Sequence, residues 1–249
     1  LSLASRAVAA EAVPTPVAAA VADWGRPPAD MLRDARDKPA QTVAFSKAKS
    51  GDVVVDFIPH DGYYTRIFSA LVGAKGIVHP LVPDMFGKEN ADAWKESTAS
   101  ILSIANIHRY RNVTMLGQSL LQYGGQFSVP EQANVIWSAG GYHELHNKPF
   151  GAGAIVVPVL RQALASLNVG SKCVGSDNVA AKGAGFGASD SLQRSEPDAV
   201  RAEIVSAGFV FDGESDVLRN PGDDHTRPAS DTGLDGKPDR FVLRFTKPE

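Results

Sequence analysis

A short apolar run near the start of the chain constrains its fold more than any other feature. Residues 53–55 are three valines, and Asp56 follows them directly. Turn-forming residues come next, and apolar side chains then recur at helical spacing at Tyr64, Ile67, Phe68 and Leu71. This order predicts a buried parallel strand, a tight turn and a helix that packs back on the sheet. Ligands of open α/β sheets bind beyond the carboxyl end of such a strand, so we expect the functional site here.

Three segments of the chain carry a shared family pattern. They are the strand, turn and Tyr-Tyr-Thr-Arg-Ile sequence of residues 52–67, the stretch Tyr142-His143-Glu144-Leu145-His146-Asn147, and the segment from Asp239 to Phe245. Together they resemble class I S-adenosylmethionine (SAM) dependent methyltransferases, and more narrowly a bacterial group of predicted methyltransferases. The resemblance covers residues 33–248. It implies an α/β, Rossmann-like methyltransferase fold, with a seven-stranded, mostly parallel sheet, helices on both faces and an N-terminal helical cap.

The apolar pattern predicts where the other strands of this sheet lie. They are expected at residues 77–82, 112–116, 133–137 and 173–176, with a final antiparallel pair within 209–219 and 240–245. Helices are expected between the strands, the last of them over residues 196–207.

The turn after the first strand departs from the methyltransferase pattern. In that family a Gly-x-Gly-x-Gly loop follows the acid, because glycine lets the backbone approach the cofactor. Here Pro59, His60 and Asp61 occupy the turn, and Gly62 is the glycine that is kept. An imidazole and a carboxylate therefore stand where the methionine part of SAM would lie. The carboxylate would attract the ammonium group of SAM and repel its carboxylate.

The resemblance also implies which residues contact the cofactor, SAM. The expected cofactor contacts are Asp56, Pro59, Gly62, Tyr63 and Asp84. An acid at the end of the second strand commonly holds the ribose hydroxyls of a nucleotide cofactor. Asp84 lies beyond a proline, however, and a helix N-cap is its favoured role.

The stretch after the fourth expected strand is rich in groups that can transfer protons. It contains Tyr142, His143 and His146, and in methyltransferases this loop faces the transferred methyl group. The resemblance implies that at least one of them orients or deprotonates the substrate. The alternative is that the histidines bridge backbone groups. Cys173 and scattered acids do not complete an obvious ligand set for the two histidines, so no metal is expected.

Three more residues complete the candidate catalytic set: His60, Asp61 and His225. His225 lies in a long polar connection before the last strand, and such connections tend to be functional or disordered. The leading hypothesis is a SAM-dependent methyltransferase that acts on a small molecule. Because the glycine turn is altered, a SAM-independent lyase or isomerase with His/Asp acid–base chemistry stays open. A non-catalytic exported binding protein is the third alternative.

A charged run follows the first predicted turn of helix, at residues 33–38. Its pattern predicts a solvated helix face with ion pairs between close neighbours. The alternative is that Arg33 or Arg36 reaches an anionic ligand.

Composition and charge bear on partners and compartment. A net charge of −3 over 249 residues gives no reason to expect nucleic acid, and no apolar run is long enough for membrane insertion. A small-molecule substrate is expected, and a homodimer stays open. Residues 1–27 are interpreted as the remnant of an export signal or a flexible segment, and residues 28–249 as one domain. A periplasmic or secreted location is expected. The cytoplasm is the alternative, because SAM is a cytosolic metabolite.

Overall fold

A computed structural model describes residues 12–84, 91–148 and 151–249, with side chains of the second range described from residue 94. Its strands are β1 (Val53–Phe57), β2 (Ile77–Pro83), β3 (Leu116–Gln118), β4 (Ala133–Ala139), β5 (Leu167–Asn178), β6 (Val210–Ser215) and β7 (Arg240–Thr246). They form one sheet in the order β3-β2-β1-β4-β5-β7-β6. Strands β1 to β5 are parallel, and β7 runs antiparallel to both β5 and β6.

Helices cover both faces of this sheet. They are α1 (Thr15–Val21), α2 (Pro28–Asp37), α3 (Pro39–Ser46), α4 (Tyr63–Val72), α5 (Ala91–Ala105), α6 (Val156–Ser166), α7 (Ser189–Leu192) and α8 (Pro197–Ser206). Side chains of a strand alternate between faces. Val55 accordingly packs in a core with α6 and α8, whereas Val54 packs in a second core with α1, α3 and α4. The Rossmann-like methyltransferase fold expected from the sequence is confirmed.

The N-terminal helices form the cap that the resemblance implied. Helix α1 lies within the stretch interpreted as an export remnant or flexible segment, yet Val17 and Ala20 are buried against α3 and α4. Residues 1–11, the first part of the expected signal remnant, lie outside the described residues. No helix in the described ranges is long and apolar enough to cross a membrane.

Two strands differ from the sequence expectation. Residues 112–115 make only an isolated bridge, Val113 to Val78, and the paired strand β3 begins at Leu116. Strand β5 is twelve residues long rather than four, because it pairs with β4 along one edge and with β7 along the other. Its last residues, Ser176 to Asn178, therefore reach the same edge of the sheet as the end of β1.

Candidate functional site

A cavity of about 520 Å³ opens at the carboxyl ends of β1, β4 and β5. The strands contribute Asp56, Ala139 and Ser176, and helix α2 contributes Arg33 and Arg36. A segment before β7 closes the opposite side with Ala229, Ser230, Asp231, Thr232, Gly236 and Pro238. A cleft thus lies beyond the first strand, where the site is predicted, with walls from helix α2 on one side and from the segment before β7 on the other.

The loop after β1 has an unusual backbone. Ile58, His60 and Gly62 all lie in the left-handed region, with φ of 59°, 50° and 80°. A residue with a β-carbon pays about 1–2 kcal/mol in this region, and a β-branched side chain such as that of Ile58 is rare there. The three positions alternate as the glycines of a Gly-x-Gly-x-Gly loop do. The loop therefore holds two residues with a β-carbon in a backbone conformation that glycine would adopt without strain.

Packing around the loop holds this strained conformation. The Ile58 amide donates a hydrogen bond to the Leu81 carbonyl oxygen at 3.1 Å, and the Gly62 amide donates to the Pro59 carbonyl at 2.8 Å. The Ile58 side chain is buried so tightly that a β-carbon at Gly141 would lie 2.9 Å from it. Strain that the surrounding structure enforces in this way is typical of ligand sites.

Relief of this strain is directly measurable at His60, whose side chain is exposed. We expect His60→Gly to raise the free energy of unfolding by about 0.5–1 kcal/mol, because glycine adopts positive φ without steric cost. His60→Ala is the matched control, since it removes the same imidazole but keeps a β-carbon. Urea denaturation of both variants checks the prediction, and equal stabilities for glycine and alanine would contradict it.

A second cavity, of about 270 Å³, lies on the other side of the same loop. It is lined by Val82 and Pro83 at the end of β2, by Ser97 and Ser100 of α5, and by Glu96 and Glu144. Residues 58–61 line both cavities. One elongated ligand could therefore reach both cavities by lying across the loop.

The Asp56 carboxyl forms part of the floor of the larger cavity. Its side chain is buried, and the Thr65 hydroxyl donates a hydrogen bond of 2.6 Å to it. Burial raises the pKa of Asp56 to about 7, and the nearby charge of Asp61 acts in the same direction. This carboxyl can therefore hold or release a proton near neutral pH.

Of the other four expected cofactor contacts, two line a cavity and two do not. Pro59 lines both cavities. Tyr63 lines the larger cavity, and its hydroxyl donates a hydrogen bond of 2.6 Å to Asp34. Gly62 lines neither cavity and precedes α4 instead. Asp84 also lines neither, and its amide donates to the Gln118 carbonyl at the end of β3. The residues after Asp84, where the helix that it was expected to cap would begin, lie outside the described ranges.

Tyr142, His143 and His146 do not line either cavity. After Gly140 the chain enters a short 3-10 turn that lies against β5 and α8. Asp177 accepts hydrogen bonds from the His143 amide at 2.7 Å and from its Nδ1 at 2.9 Å. Burial opposes protonation of His143, but Asp177 outweighs it and raises the pKa of the imidazole.

Tyr142 and His146 both contact the carboxylate of Glu203. The Tyr142 hydroxyl donates to Glu203 at 2.5 Å, and Nε2 of His146 lies 2.9 Å from the same oxygen. His146 also stacks on Phe186 with ring centroids 3.5 Å apart. These contacts give the two side chains a packing role between α8 and the turn.

His225 also lies outside the cleft. Its Nε2 is 2.9 Å from Asp239, which also accepts two hydrogen bonds from Arg219. Asp223 links this group to Arg194, and both of these side chains are fully buried. The group fixes the long connection whose later residues, 229–238, close the cleft.

Several cleft residues were not assigned to the site by the sequence. Arg240 and Asp37 line the larger cavity, and so do Ser176 and Asn178 at the end of β5. The charged run of residues 33–38 was interpreted as a solvated face, but Asp37 is only 2% exposed. A signal for Arg240 was present, because it lies in the family-like segment that begins at Asp239.

The fold of this chain matches known structures. The fold is that of the class I SAM-dependent methyltransferases. A SAM-dependent methyltransferase from Aquifex aeolicus shares 16% identity, with a TM-score of 0.58 over 86% of this chain and 91% of that one. An arsenic(III) S-adenosylmethionine methyltransferase from Chlamydomonas reinhardtii shares 12% identity, with a TM-score of 0.54 over 96% of this chain and 75% of that one. The N-methyltransferase NodS from Bradyrhizobium japonicum shares 11% identity, with a TM-score of 0.53 over 88% of this chain and 99% of that one.

At these identities the methyltransferase fold is what the comparisons establish. No protein-family model and no curated protein matches the sequence significantly. Within the described ranges, no group of three or more His, Cys, Asp and Glu side chains is placed to hold a metal ion.

Proposed function

We propose that this protein is a SAM-dependent methyltransferase that acts on a small molecule. The observation that carries the proposal is the left-handed backbone at Ile58, His60 and Gly62. Two of these residues adopt that conformation against their steric preference. A loop that serves only to join a strand to a helix has no need of such strain, whereas a loop that must present its backbone to a ligand does.

The two cavities beside this loop are suited to the two ends of the cofactor. The larger cavity would take the methionine part near Pro59 and Tyr63, and the smaller one would take the adenosine part near Pro83 and Ser100. Bound SAM would supply an activated methyl group for transfer to a nucleophile. The protein would then act mainly by holding the acceptor in line, because positioning lowers the barrier of a two-substrate reaction.

Blocking the smaller cavity tests this proposal. We expect micromolar binding of SAM and S-adenosylhomocysteine to the wild-type protein, and a loss of at least about a hundredfold in Ser100→Trp, because the indole would fill the adenosine space. Ser103→Trp is the matched control, since it lies on the same helix with an exposed side chain outside the cavity. Isothermal titration measures both. A folded wild-type protein that binds neither ligand at millimolar concentration would exclude the proposal.

One observation favours a second candidate, a SAM-independent lyase or isomerase. The exposed His60 side chain lines both cavities, and its ring nitrogens have no hydrogen-bond partner among the described residues. Glu144 lies close enough for the charge of His60 to affect its ionisation. A free imidazole beside a carboxylate can serve as an acid–base group. Turnover without SAM that His60→Ala abolishes would favour this candidate over methyl transfer.

A further inference from the structure

Three arginines converge on a single carboxylate at the mouth of the larger cavity. Arg33, Arg36 and Arg240 together donate four hydrogen bonds of 2.8–3.2 Å to Asp37. The Asp37 side chain is 3% exposed, and the arginines outweigh its burial and lower its pKa. Three guanidinium groups on one ionised carboxylate leave an excess of positive charge that faces the cavity.

The arginines also retain unused donors. Among the described residues, Nη2 of Arg33 and Nη1 of Arg36 have no hydrogen-bond acceptor, and the buried Nε of Arg240 has none either. Arg33 is held in place from the other side, with Cζ 4.4 Å from the centroid of the Tyr63 ring. The three guanidinium groups are therefore held in place before a ligand binds, and they keep N–H donors that Asp37 does not use.

One exposed carboxylate already occupies part of this cluster. Oδ2 of Asp61 accepts a hydrogen bond of 2.6 Å from Nη1 of Arg33, and the Asp61 side chain is 55% exposed. Its other oxygen accepts from the Tyr63 amide at the start of α4. An exposed ion pair of this kind is weak, so a ligand can displace it at little cost.

We propose that Arg33, Arg36 and Arg240 form a subsite for an anionic group of the cleft ligand, a carboxylate or a phosphate, and that Asp61 occupies this subsite until the ligand arrives. Guanidinium groups suit such anions because their planar donors match two oxygen atoms at once. Ser230 and Thr232 line the same cavity, and each has a hydroxyl group that can donate a hydrogen bond.

The remaining acids of the cavity leave this subsite favourable to an anion. Asp231 accepts a hydrogen bond of 2.7 Å from the Gly233 amide and lies 3.7 Å from Arg227. Asp56 lies on the floor, where burial raises its pKa and reduces its negative charge at neutral pH. Asp61 is thus the acid that competes directly for the guanidinium donors.

The inference deepens the proposed function, and it rests on that function where it concerns the cofactor and the acceptor. Two sources could supply the anion: the methionine carboxylate of SAM, or a carboxylate or phosphate on the methyl acceptor. The subsite itself can be tested without either of them, with inorganic phosphate as the probe.

The test measures phosphate binding by isothermal titration at constant ionic strength. We expect Asp61→Asn to bind phosphate about two- to fivefold more tightly than the wild type, because the competing charge is gone while an oxygen for the Tyr63 amide is kept. We expect Arg36→Gln to weaken binding at least about tenfold, because a charge-assisted donor is lost.

Two control variants remove comparable ion-pair partners away from the cleft. Asp198→Asn removes an exposed carboxylate paired with Arg201 at 2.6 Å, as Asp61 is paired with Arg33. Arg219→Gln removes a half-exposed arginine bound to the buried Asp239, as Arg36 is bound to Asp37. Both controls should bind phosphate as the wild type does. Asp61→Asn and Arg36→Gln variants that match their controls would overturn the proposal.

A second titration, with S-adenosylhomocysteine in saturating phosphate, identifies the source. Competition between the two ligands would assign the subsite to the cofactor carboxylate, and simultaneous binding would assign it to an anionic acceptor. Phosphate binding with the expected variant effects, but no binding of S-adenosylhomocysteine, would uphold the anion subsite and refute the proposed methyltransferase. The two proposals can therefore fail separately.

Discussion

Asp56→Asn is expected to raise the free energy of unfolding at pH 8 by up to about 4 kcal/mol. The cause is the pKa of Asp56, which burial raises from 3.8 to about 7. Each unit of such a shift corresponds to about 1.4 kcal/mol. Below about pH 4 the carboxyl is protonated in both the folded and the unfolded chain. Between pH 4 and 7 the unfolded chain ionises first, so the folded state loses stability as the pH rises.

The asparagine variant removes this titration and keeps an oxygen that can accept the Thr65 hydroxyl. Urea denaturation at several pH values should therefore show the two proteins converging near pH 4 and separating up to pH 7. Asp198→Asn, at an exposed carboxylate, should follow the wild-type profile throughout. Parallel profiles for Asp56→Asn and the wild type would show that the Asp56 carboxyl is not destabilised by burial.

Arg194→Met is expected to destabilise the protein by about 3–5 kcal/mol. Arg194 is fully buried and lies 2.9 Å from the equally buried Asp223. Its other donors bind the carbonyl oxygens of Val179 and Arg227. Removing one partner of such a pair leaves a buried charge uncompensated, which costs more than the pair itself contributes.

The double variant Arg194→Met/Asp223→Ala should recover part of this loss, because no unpaired carboxylate remains. Arg219→Gln, at an exposed arginine of the same network, should cost no more than about 1 kcal/mol. Thermal and urea denaturation measure all three variants. A loss below about 1 kcal/mol in Arg194→Met would mean that the network does not hold the connection before β7.

The central part of the fold could be predicted from local sequence. The three valines of β1, the following turn and the apolar spacing of α4 carry their structure within a few residues of one another. Strand β3 could not be predicted in the same way. Residues 112–116 have the apolar pattern of a strand, but before Leu116 only Val113 bridges to β2, and continuous pairing starts at Leu116, opposite Leu81. The residue at which β3 begins therefore depends on β2, a strand that lies much earlier in the chain.

The candidate site could be predicted only where local sequence decides the geometry. The loop after β1 was located correctly because a strand end and a helix start bracket it. The positions of His143 and His146 could not be foreseen, because their partners Asp177 and Glu203 come from β5 and α8. Likewise nothing near Arg36 indicates that Arg240 binds the same carboxylate.

The position of β7 has a consequence for synthesis on the ribosome. This strand is made after β5 and β6, yet it lies between them and pairs with both. Arg240 at its start also closes the guanidinium cluster on Asp37, 203 residues earlier in the chain. A nascent chain that has not yet released β7 can build the parallel half of the sheet but has no complete cleft. The larger cavity thus has all of its lining residues only after β7 has emerged.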